Sequence, residues 1–304
     1  MEIINLVFHQ LDEAVRLDKY LASELEDVTR SYVQMLIKEG NVLVNGKTEK
    51  ANYILKDKDV IDVAIKELEE VDIVAQDIPL DIVYEDSDII VVNKPAGMVV
   101  HPGAGNYQDT LVNALMYHCH DLSGINGEIR AGIVHRIDKD TSGLLVACKN
   151  DFAHRNLSIQ FSEKQVTKKY IAICSGIIPH NLGKIDAPIA RDPKNRQQMS
   201  IQENGKVAIT NFKVIERFKK HTLIEVLLET GRTHQIRVHM KYIGYPVLGD
   251  PIYGYRSEVD NEHGQYLHAQ ELSFIHPRSG ERLTFNAPLP DYFEEKIKEL
   301  RSEL

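Results

Sequence analysis

The pattern of apolar residues at the start of the chain predicts two amphipathic helices. The first set lies at positions i, i+3, i+4 and i+8 and therefore shares one helical face: Leu17, Tyr20, Leu21 and Leu25. A second set repeats this spacing: Val33, Leu36 and Ile37. Thr29 could cap the second helix and Gly40 could end it.

A hairpin is predicted directly after these helices. Residues 42–44 are three consecutive apolar strand formers, and the Asn45-Gly46 pair behind them is a strong two-residue turn signal. Residues 60–63 would supply a further short strand. We therefore expect residues 1–65 to form a small α/β domain, and the acid-rich residues 66–79 to connect it to the rest of the chain.

Short apolar runs separated by turn residues dominate the remainder of the chain. The predicted strands lie at residues 82–86, 89–92, 132–134, 144–147, 170–173 and 223–227, and helical stretches at 110–118 and 152–161. Strands and helices do not alternate strictly, which argues against a doubly wound parallel sheet. We predict an α+β domain over residues 80–304 with a large mixed, mainly antiparallel sheet. A closing helix should follow Pro290, with Asp291 as its cap.

Composition points to a soluble cytoplasmic protein. Hydrophobic residues make up 43% and charged residues 27% of the chain. Residues 1–20 mix acidic residues into apolar ones and lack the basic lead of a signal peptide, and no run approaches the roughly 18 apolar residues that cross a bilayer. Cys119, Cys148 and Cys174 lie far apart without a CxxC pair, so neither a disulfide framework nor a zinc site is indicated.

The net charge of −9 is unusual for a protein that binds nucleic acid, but the charge is unevenly distributed. Residues 131–250 carry a net charge of +8, against −13 for residues 1–130 and −4 for residues 251–304. A basic island in an acidic chain could mark a cleft that holds a polyanion. Equally, sequence segments of this length need not correspond to patches on the surface.

Two polar clusters could carry chemistry. Residues 135–143 lie between two apolar runs, and exposed loops held by a rigid sheet are where catalytic groups tend to sit. Asp138 or Asp140 in this loop could equally do no more than form an Asx-turn. Residues 230–240 contain two arginines and two histidines, and an arginine suits a bidentate pair with a carboxylate.

No metal site is expected from the histidines. His118 and His120 are spaced like ligands on a strand, but no set of carboxylates and histidines accompanies them, so a structural or surface role is favoured. His234 and His239 lie five residues apart without a third ligand. The Gly-Ala-Gly sequence at residues 103–105 lacks the lysine of a phosphate-binding loop and is interpreted as a turn.

Three motifs resemble one enzyme family. His-Arg-Ile-Asp-Lys-Asp-Thr-Ser-Gly-Leu-Leu at residues 135–145 resembles the signature loop of the pseudouridine synthases that act on ribosomal RNA. Lys168-Lys169-Tyr170 resembles the Lys-x-Tyr motif of that family, and Gly-Arg-Thr-His-Gln-Ile-Arg at residues 231–237 its third motif. Residues 84–106 and 249–254 are similar to the D-type large-subunit enzymes, whereas residues 121–128 depart from the family pattern.

The amino-terminal residues resemble the small RNA-binding domain first known from ribosomal protein S-four. The resemblance rests on residues 16–21, 29–31 and 40–46. In that family the second helix and the loop after it hold RNA, which implies five RNA-contacting residues here: Arg30, Ser31, Gln34, Lys38 and Lys47. The other interpretation is that these polar side chains only solvate an outer helix face.

The resemblance also implies roles at the active site. Asp138 matches the catalytic aspartate, Tyr170 the active-site tyrosine, and Arg237 the arginine that pairs with the aspartate. Arg136 matches a residue that fills the gap left in RNA by the extruded uridine. The implied partner is RNA of the large ribosomal subunit or its precursor, with neither cofactor nor metal. We expect a monomer without a membrane partner.

Two other functions remain open at this stage. A non-catalytic RNA-binding or ribosome-assembly protein could keep the same fold, although it would be free to lose the set Asp138, Tyr170 and Arg237. The same chemistry could also act on transfer RNA. The sequence leaves open which uridines are modified, and whether Asp138 attacks the sugar or the base.

Overall fold

The computed structural model of the protein describes residues 2–9, 15–25, 30–65, 73–103, 106–125, 131–195 and 198–303. The chain divides into two compact units, Met1–Asp72 and Ile73–Leu304. The first half of the predicted connector, residues 66–72, lies outside the described residues, as does Thr29, the predicted cap of the second helix.

The first unit contains both predicted helices and the predicted hairpin. Its elements are β1 (Glu2–Val7), α1 (Leu17–Glu24), α2 (Arg30–Lys38), β2 (Val42–Val44), β3 (Lys47–Thr48) and β4 (Val60–Ile65). The strands form one antiparallel sheet in the order β1-β4-β2-β3. Asn45 and Gly46 both have positive φ, as the turn of a tight hairpin requires.

The apolar faces of the two helices pack on this sheet. Leu17 and Leu21 of α1 and Val33 and Leu36 of α2 are all fully buried in one core. Strand β1 was not predicted, because its pairing partner β4 lies more than fifty residues away along the chain. Local sequence pattern carries little information about such a distant pairing.

The second unit contains eleven strands, four α-helices and a short 3-10 helix, Arg256–Glu258, among its described residues. The strands are β5 (Ile82–Glu85), β6 (Ile89–Lys94), β7 (Ser142–Cys148), β8 (Thr167–Ser175), β9 (Leu182–Asp186), β10 (Ile189–Arg191), β11 (Met199–Ile201), β12 (Ile209–Arg217), β13 (His221–Leu228), β14 (Leu267–Ile275) and β15 (Arg282–Asn286). The helices are α3 (Leu111–His118), α4 (Asp151–Ser162), α5 (Gln235–Tyr242) and α6 (Asp291–Ser302).

A nine-stranded sheet organises this unit. Its order is β5-β6-β7-β14-β8-β13-β12-β9, and β15 pairs with β14. Of these pairings only β14 with β7 is parallel, so the predicted α+β class with a mixed, mainly antiparallel sheet is confirmed. Strands β10 and β11 form a separate small ribbon.

Helices cover both faces of the sheet. Residues of α3 and α5 share one buried cluster with Ile90, Leu145 and Tyr170 of the sheet. On the opposite face, α4 packs over β6, β7 and β14, and α6 packs over β8 and β13. The candidate catalytic loop belongs to the first of these faces, because the side chain of Ile137 is buried in the cluster with α5.

Two local predictions were wrong. Residues 132–134 are not a strand; Ile133 makes one isolated bridge to Ala147, because Gly132 has a φ of 69° and turns the chain. Asp291 does not cap α6; it is the first helical residue, and the cap position is Pro290, whose ring fixes φ near a suitable value. No helix in the described ranges is long and apolar enough to cross a membrane.

Candidate active site

The loop at residues 135–141 is anchored at its centre and ends at the start of β7. Ile137 is buried, whereas its neighbours Arg136 and Lys139 are exposed. The backbone oxygen of Asp138 accepts a hydrogen bond from the Thr141 N–H at 3.1 Å and closes a turn. The turn therefore uses the main chain of Asp138 and leaves its carboxylate for other contacts.

A buried lysine of the sheet is hydrogen-bonded to the backbone of this loop. The ammonium of Lys94, at the end of β6, donates to the backbone oxygens of Pro95 at 2.6 Å, Met98 at 2.8 Å and Lys139 at 2.9 Å. Three carbonyl acceptors match the three N–H groups of a charged ammonium. Burial lowers the pKa of Lys94 to about 7, while the nearby charges of Asp140 and Asp138 oppose that shift. Lys94 thus ties the residue after Asp138 to the sheet.

A close approach of backbones fixes the end of the loop. Gly143 has a φ of 112°, and a Cβ placed on it would lie 2.3 Å from the backbone oxygen of Ala269. Only glycine fits both this conformation and this separation. The Thr-Ser-Gly sequence of the loop therefore lets β7 pair in parallel with β14 directly after Asp138 and Asp140.

Arg237 of α5 joins two carboxylates. Its Nη1 donates to Asp138 Oδ2 at 3.0 Å, while its Nε and Nη2 donate to Asp250 at 2.7 and 2.9 Å. Asp250 is fully buried and also accepts the backbone N–H groups of Ile252 and Tyr253. The two polar clusters of the sequence, residues 135–143 and 230–240, are thus in direct contact although they lie nearly a hundred residues apart.

Charge pairing keeps Arg237 and Asp250 ionised. Burial opposes ionisation of Asp250, but the hydrogen bonds and charge of Arg237 outweigh it and lower the Asp250 pKa. Burial likewise opposes the charge on Arg237, and the two aspartates outweigh it and raise the Arg237 pKa. The Asp138 side chain retains 18% of its exposure, against 0% for Asp250. Of these two carboxylates, Asp138 is therefore the one that can reach a ligand.

Tyr170 lies on β8 and lines the same cavity as Asp138 and Arg237. The residue is 7% exposed, and burial together with the charge of Asp138 raises the pKa of its hydroxyl. Tyr170 is therefore a neutral phenol near neutrality, able to donate a hydrogen bond or pack against a base but ill suited to remove a proton unaided.

The two residues that precede Ile137 differ in their surroundings. His135 stacks on Phe161 with ring centroids 4.6 Å apart, and its Nε2 accepts the Val146 N–H at 3.1 Å. Burial, and then the charge of Lys168, lower the His135 pKa to about 3, so it is a neutral structural acceptor. Arg136 is exposed, and its Nη1 lies 3.2 Å from His101 Nε2.

The cavity around Asp138 has a volume of about 370 Å³ and carries several cations. Lys168 and Arg232 line it. Arg232 Nε donates to the backbone oxygen of Val207, and among the described residues neither Lys168 nor Arg232 makes a salt bridge with a carboxylate. Burial, and then the charge of Arg232, lower the pKa of Lys168. Two neighbouring cations without an anionic partner favour an anionic ligand.

Of the five residues of the first unit that were predicted to contact RNA, three have described side chains. Gln34 donates to the buried Asp18 at 2.7 Å, so its amide also has a structural contact. Lys38 and Lys47 are exposed. The side chains of Arg30 and Ser31 lie outside the described part of the chain.

Two groups of side chains away from the cavity have the atoms of metal ligands. One is Glu85, His118 and Cys119, in which His118 pairs with Glu85 at 2.9 Å. The other is Asp86, Asp88 and His276. Arg278 donates to both oxygens of Asp88 at 2.6 Å, so a cation is already present in the second group.

The sequence analysis assigned no role to three residues that contact Asp138 or Arg237. Asp250 and Tyr253 belong to the Gly-Asp-Pro-Ile-Tyr-Gly motif at residues 249–254, and His234 to the motif at 231–237. Tyr253 packs under Arg237, with the guanidinium carbon 5.1 Å from its ring centroid. An aspartate beside glycine and proline is ordinarily taken for a turn residue, which conceals its pairing.

Family models match both units of the chain. The model described as RNA pseudouridylate synthase matches residues 88–242, and the S4 domain model matches residues 15–61. The first match contains Asp138, Tyr170 and Arg237. Asp250 and Tyr253 lie beyond its end.

Relatives in several bacteria are similar along nearly the whole chain. An uncharacterized RNA pseudouridine synthase of Bacillus subtilis, YlyB, is 54% identical over 301 residues, covering 99% of each chain. The ribosomal large subunit pseudouridine synthase D of Neisseria meningitidis serogroup A is 47% identical over 300 residues, covering 95% of this chain and 79% of the relative.

Solved structures extend the likeness to the fold. The structure of human RNA Pseudouridylate Synthase Domain Containing 1 has a TM-score of 0.58 at 27% identity. The match covers 74% of this chain and 95% of the human one.

Proposed function

This chain belongs to the RNA pseudouridylate synthase family and is an RNA pseudouridine synthase, an isomerase. From that premise we propose that it isomerises specific uridines in the RNA of the large ribosomal subunit, with Asp138 as the catalytic carboxylate. The observation that carries the assignment is the ion pair between Asp138 and Arg237 at a cavity that Tyr170 also lines. The large-subunit substrate is supported by the names of relatives 42–47% identical to the chain.

The reaction needs an enclosed and polar site. The C1′–N1 bond of uridine breaks, the uracil turns, and C5 bonds to C1′; C5 loses a proton and N1 gains one, so no atom is lost. Water at C1′ would give hydrolysis instead, so the site must exclude it. Asp138 would meet the positive charge that develops at C1′, by bonding to it or by stabilising it.

Base flipping fits the depth of the cavity. A uridine within folded RNA is inaccessible until it leaves its stack, at a cost of a few kcal/mol. Asp138 is mostly buried, so a flipped nucleotide is required to reach it. The exposed Arg136, two residues away, would fill the gap in the RNA, and Tyr170 would pack against or donate to the flipped base.

Charge on the rim would hold the backbone of the RNA. Arg136, Lys168 and Arg232 line the cavity and come from the basic segment, residues 131–250. Because the described residues include no carboxylate in a salt bridge with these side chains, they are suited to bind the phosphates that flank the flipped uridine. We propose the exposed Lys38 and Lys47, with Arg30, Ser31 and Gln34, as a second RNA contact from the first unit.

The decisive experiment uses ribosomal RNA from cells that lack the protein. The purified protein is incubated with free RNA, large subunits and their precursors, and pseudouridine is mapped by primer extension after carbodiimide treatment. We expect stops at defined large-subunit positions. Transfer RNA serves as the competing substrate: conversion there alone would replace the proposed substrate, and conversion of neither RNA would overturn the proposal. Light scattering of the same sample tests the predicted monomer.

A further inference from the structure

His234 adopts an unusual backbone conformation beside the candidate catalytic carboxylate. It occupies the residue before α5 with φ 55° and ψ 22°, a left-handed conformation that is uncommon for residues with a side chain. Gln235 holds this turn, because its side-chain oxygen accepts from the Arg232 N–H and the Thr230 hydroxyl. Such conformations persist where the surroundings over-determine them, and they cluster at functional sites.

One nitrogen of His234 is fixed by a buried phenol. Its Nδ1 lies 2.8 Å from the hydroxyl oxygen of Tyr253, which itself accepts the backbone N–H of Met199 at 2.8 Å. Among the described residues, Nδ1 is the only acceptor within reach of the Tyr253 hydroxyl proton. The arrangement that satisfies every group has Tyr253 donating to Nδ1.

The other nitrogen of His234 must then carry the ring proton. Burial, reinforced by the charges of Arg237 and Arg136, lowers the His234 pKa against the opposing influence of Asp138 and Asp250, so the imidazole is neutral. A neutral ring that accepts at Nδ1 bears its single proton on Nε2. That nitrogen lies 3.9 Å from Asp138 Oδ1.

The two oxygens of Asp138 therefore face two different donors. Arg237 Nη1 holds Oδ2 at 3.0 Å, and the His234 Nε2–H faces Oδ1 at 3.9 Å. We propose that His234 is a positioning residue for Asp138, whose Nε2–H donates to Oδ1 when a uridine occupies the cavity and so fixes the rotation of the carboxylate. Hydrogen bonds of this kind shorten when the substrate is bound. The inference rests on the proposed function of Asp138.

Tyr253 links the two donors. Its hydroxyl sets the tautomer of His234, while the face of its ring packs against the guanidinium of Arg237. Both groups that face Asp138 are thus in contact with the same buried side chain. A displacement of about 1 Å at reacting atoms is able to slow a reaction about 100-fold.

A pair of isosteric substitutions tests the position of the donor. The amide of His234→Gln places an N–H near the former Nε2, whereas that of His234→Asn reaches only the position of Nδ1. We expect the single-turnover rate of pseudouridine formation to fall about 10- to 100-fold in His234→Asn and to recover most of that loss in His234→Gln. The affinity for RNA should stay within about twofold of wild type, since the donor acts on Asp138.

Two further variants complete the test. Tyr253→Phe should slow the reaction without weakening RNA binding, because the ring proton is then free to occupy Nδ1. His180→Asn, at an exposed histidine, should behave as wild type. Thermal unfolding of each variant shows that it is folded.

Several outcomes would overturn the role of His234. One is an equal rate in His234→Asn and wild type, and another is an equal loss in the Asn and Gln variants. A loss of RNA affinity that matches the loss of rate would place the N–H on the substrate instead of on Asp138. Wild-type protein that converts no uridine would refute the proposed function itself, so the two failures are distinguishable.

Discussion

Arg237 and Asp250 form a bidentate ion pair in the interior of the protein, with Nε to Oδ2 at 2.7 Å and Nη2 to Oδ1 at 2.9 Å. Both side chains are at least 96% buried. The pair leaves one guanidinium nitrogen, Nη1, pointing at Asp138. Because a planar guanidinium held at two points cannot rotate, Asp250 determines where Arg237 meets the candidate catalytic carboxylate.

Replacing Asp250 tests this relationship. In Asp250→Asn the amide turns an N–H toward the guanidinium, so the buried cation loses one of its two anionic partners. We expect the free energy of unfolding to fall by about 3 kcal/mol, and uridine conversion to fall with it. Urea unfolding and single-turnover assays measure the two effects. The control is Asp77→Asn, at an exposed position. If Asp250→Asn were as stable as Asp77→Asn, the pairing of Asp250 with Arg237 would not stabilise the protein as expected.

Asp138 is the residue whose loss should abolish the reaction. We expect Asp138→Asn to reduce uridine conversion about 10⁴-fold or more, as loss of a catalytic carboxylate does, with RNA affinity within a few-fold of wild type. The matched variant is Asp140→Asn, two residues along the same loop, which should retain measurable turnover. Retained turnover in Asp138→Asn would show that the carboxylate is misassigned.

Much of the fold was predictable because it rests on local patterns. The two helices of the first unit, the Asn45-Gly46 hairpin and helix α3 all follow from apolar spacing and turn chemistry over fewer than twenty residues. Strand β1 depends on a partner more than fifty residues along the chain, which apolar spacing does not specify. Residues 132–134 fail as a strand for a local reason, the positive φ of Gly132, which apolar spacing does not reveal either.

The candidate site likewise contains residues that the sequence predicted and residues that it did not. Asp138, Tyr170 and Arg237 were named through motifs, and the structure brings all three to one cavity. The groups that orient them were not named, since Asp250 resembles an ordinary turn residue and Lys94 an exposed cation until burial is known. Their roles arise from tertiary contacts that residue type alone does not indicate.

Lys168 and Arg232 should bind phosphate without taking part in the chemistry. We expect Lys168→Ala and Arg232→Ala each to weaken RNA binding and to reduce the slope of log K against log salt concentration by about 0.7–0.9. Rates at saturating RNA should change little. Filter binding across a salt series measures the slopes, with Lys296→Ala on α6 as the control. An unchanged slope in both cavity variants would exclude a phosphate contact.

Lys94 should matter for both stability and rate. Lys94→Met keeps the length of the side chain but leaves three carbonyl oxygens without their donor. We expect the free energy of unfolding to fall by about 2–4 kcal/mol, and conversion to slow because the backbone at Lys139 is no longer held. Lys213→Met on the exposed face of β12 is the control. Unfolding that is unaltered by Lys94→Met would show that the loop is held by other contacts.

Acid should weaken the protein through Asp88, which is buried and pairs with Arg278 through two hydrogen bonds of 2.6 Å. These hydrogen bonds, opposed by burial, lower the Asp88 pKa from 3.8 to about 2. A carboxyl whose pKa is lower in the folded state stabilises the fold above its unfolded pKa, and that stability is lost as the pH falls through the folded pKa. The ion pair should therefore contribute fully above about pH 4 and vanish toward about pH 2.

The difference in unfolding free energy between wild type and Asp88→Asn isolates this contribution from those of other carboxyl groups. We expect the difference to be constant from about pH 7 to about pH 5 and to shrink as the pH falls below about 4. The difference for Asp77→Asn, at an exposed position, should show no such trend. Urea unfolding at each pH provides the values. A difference for Asp88→Asn that stays constant down to the acid limit would mean that the charge of Asp88 does not stabilise the junction between β6 and the turn after β14.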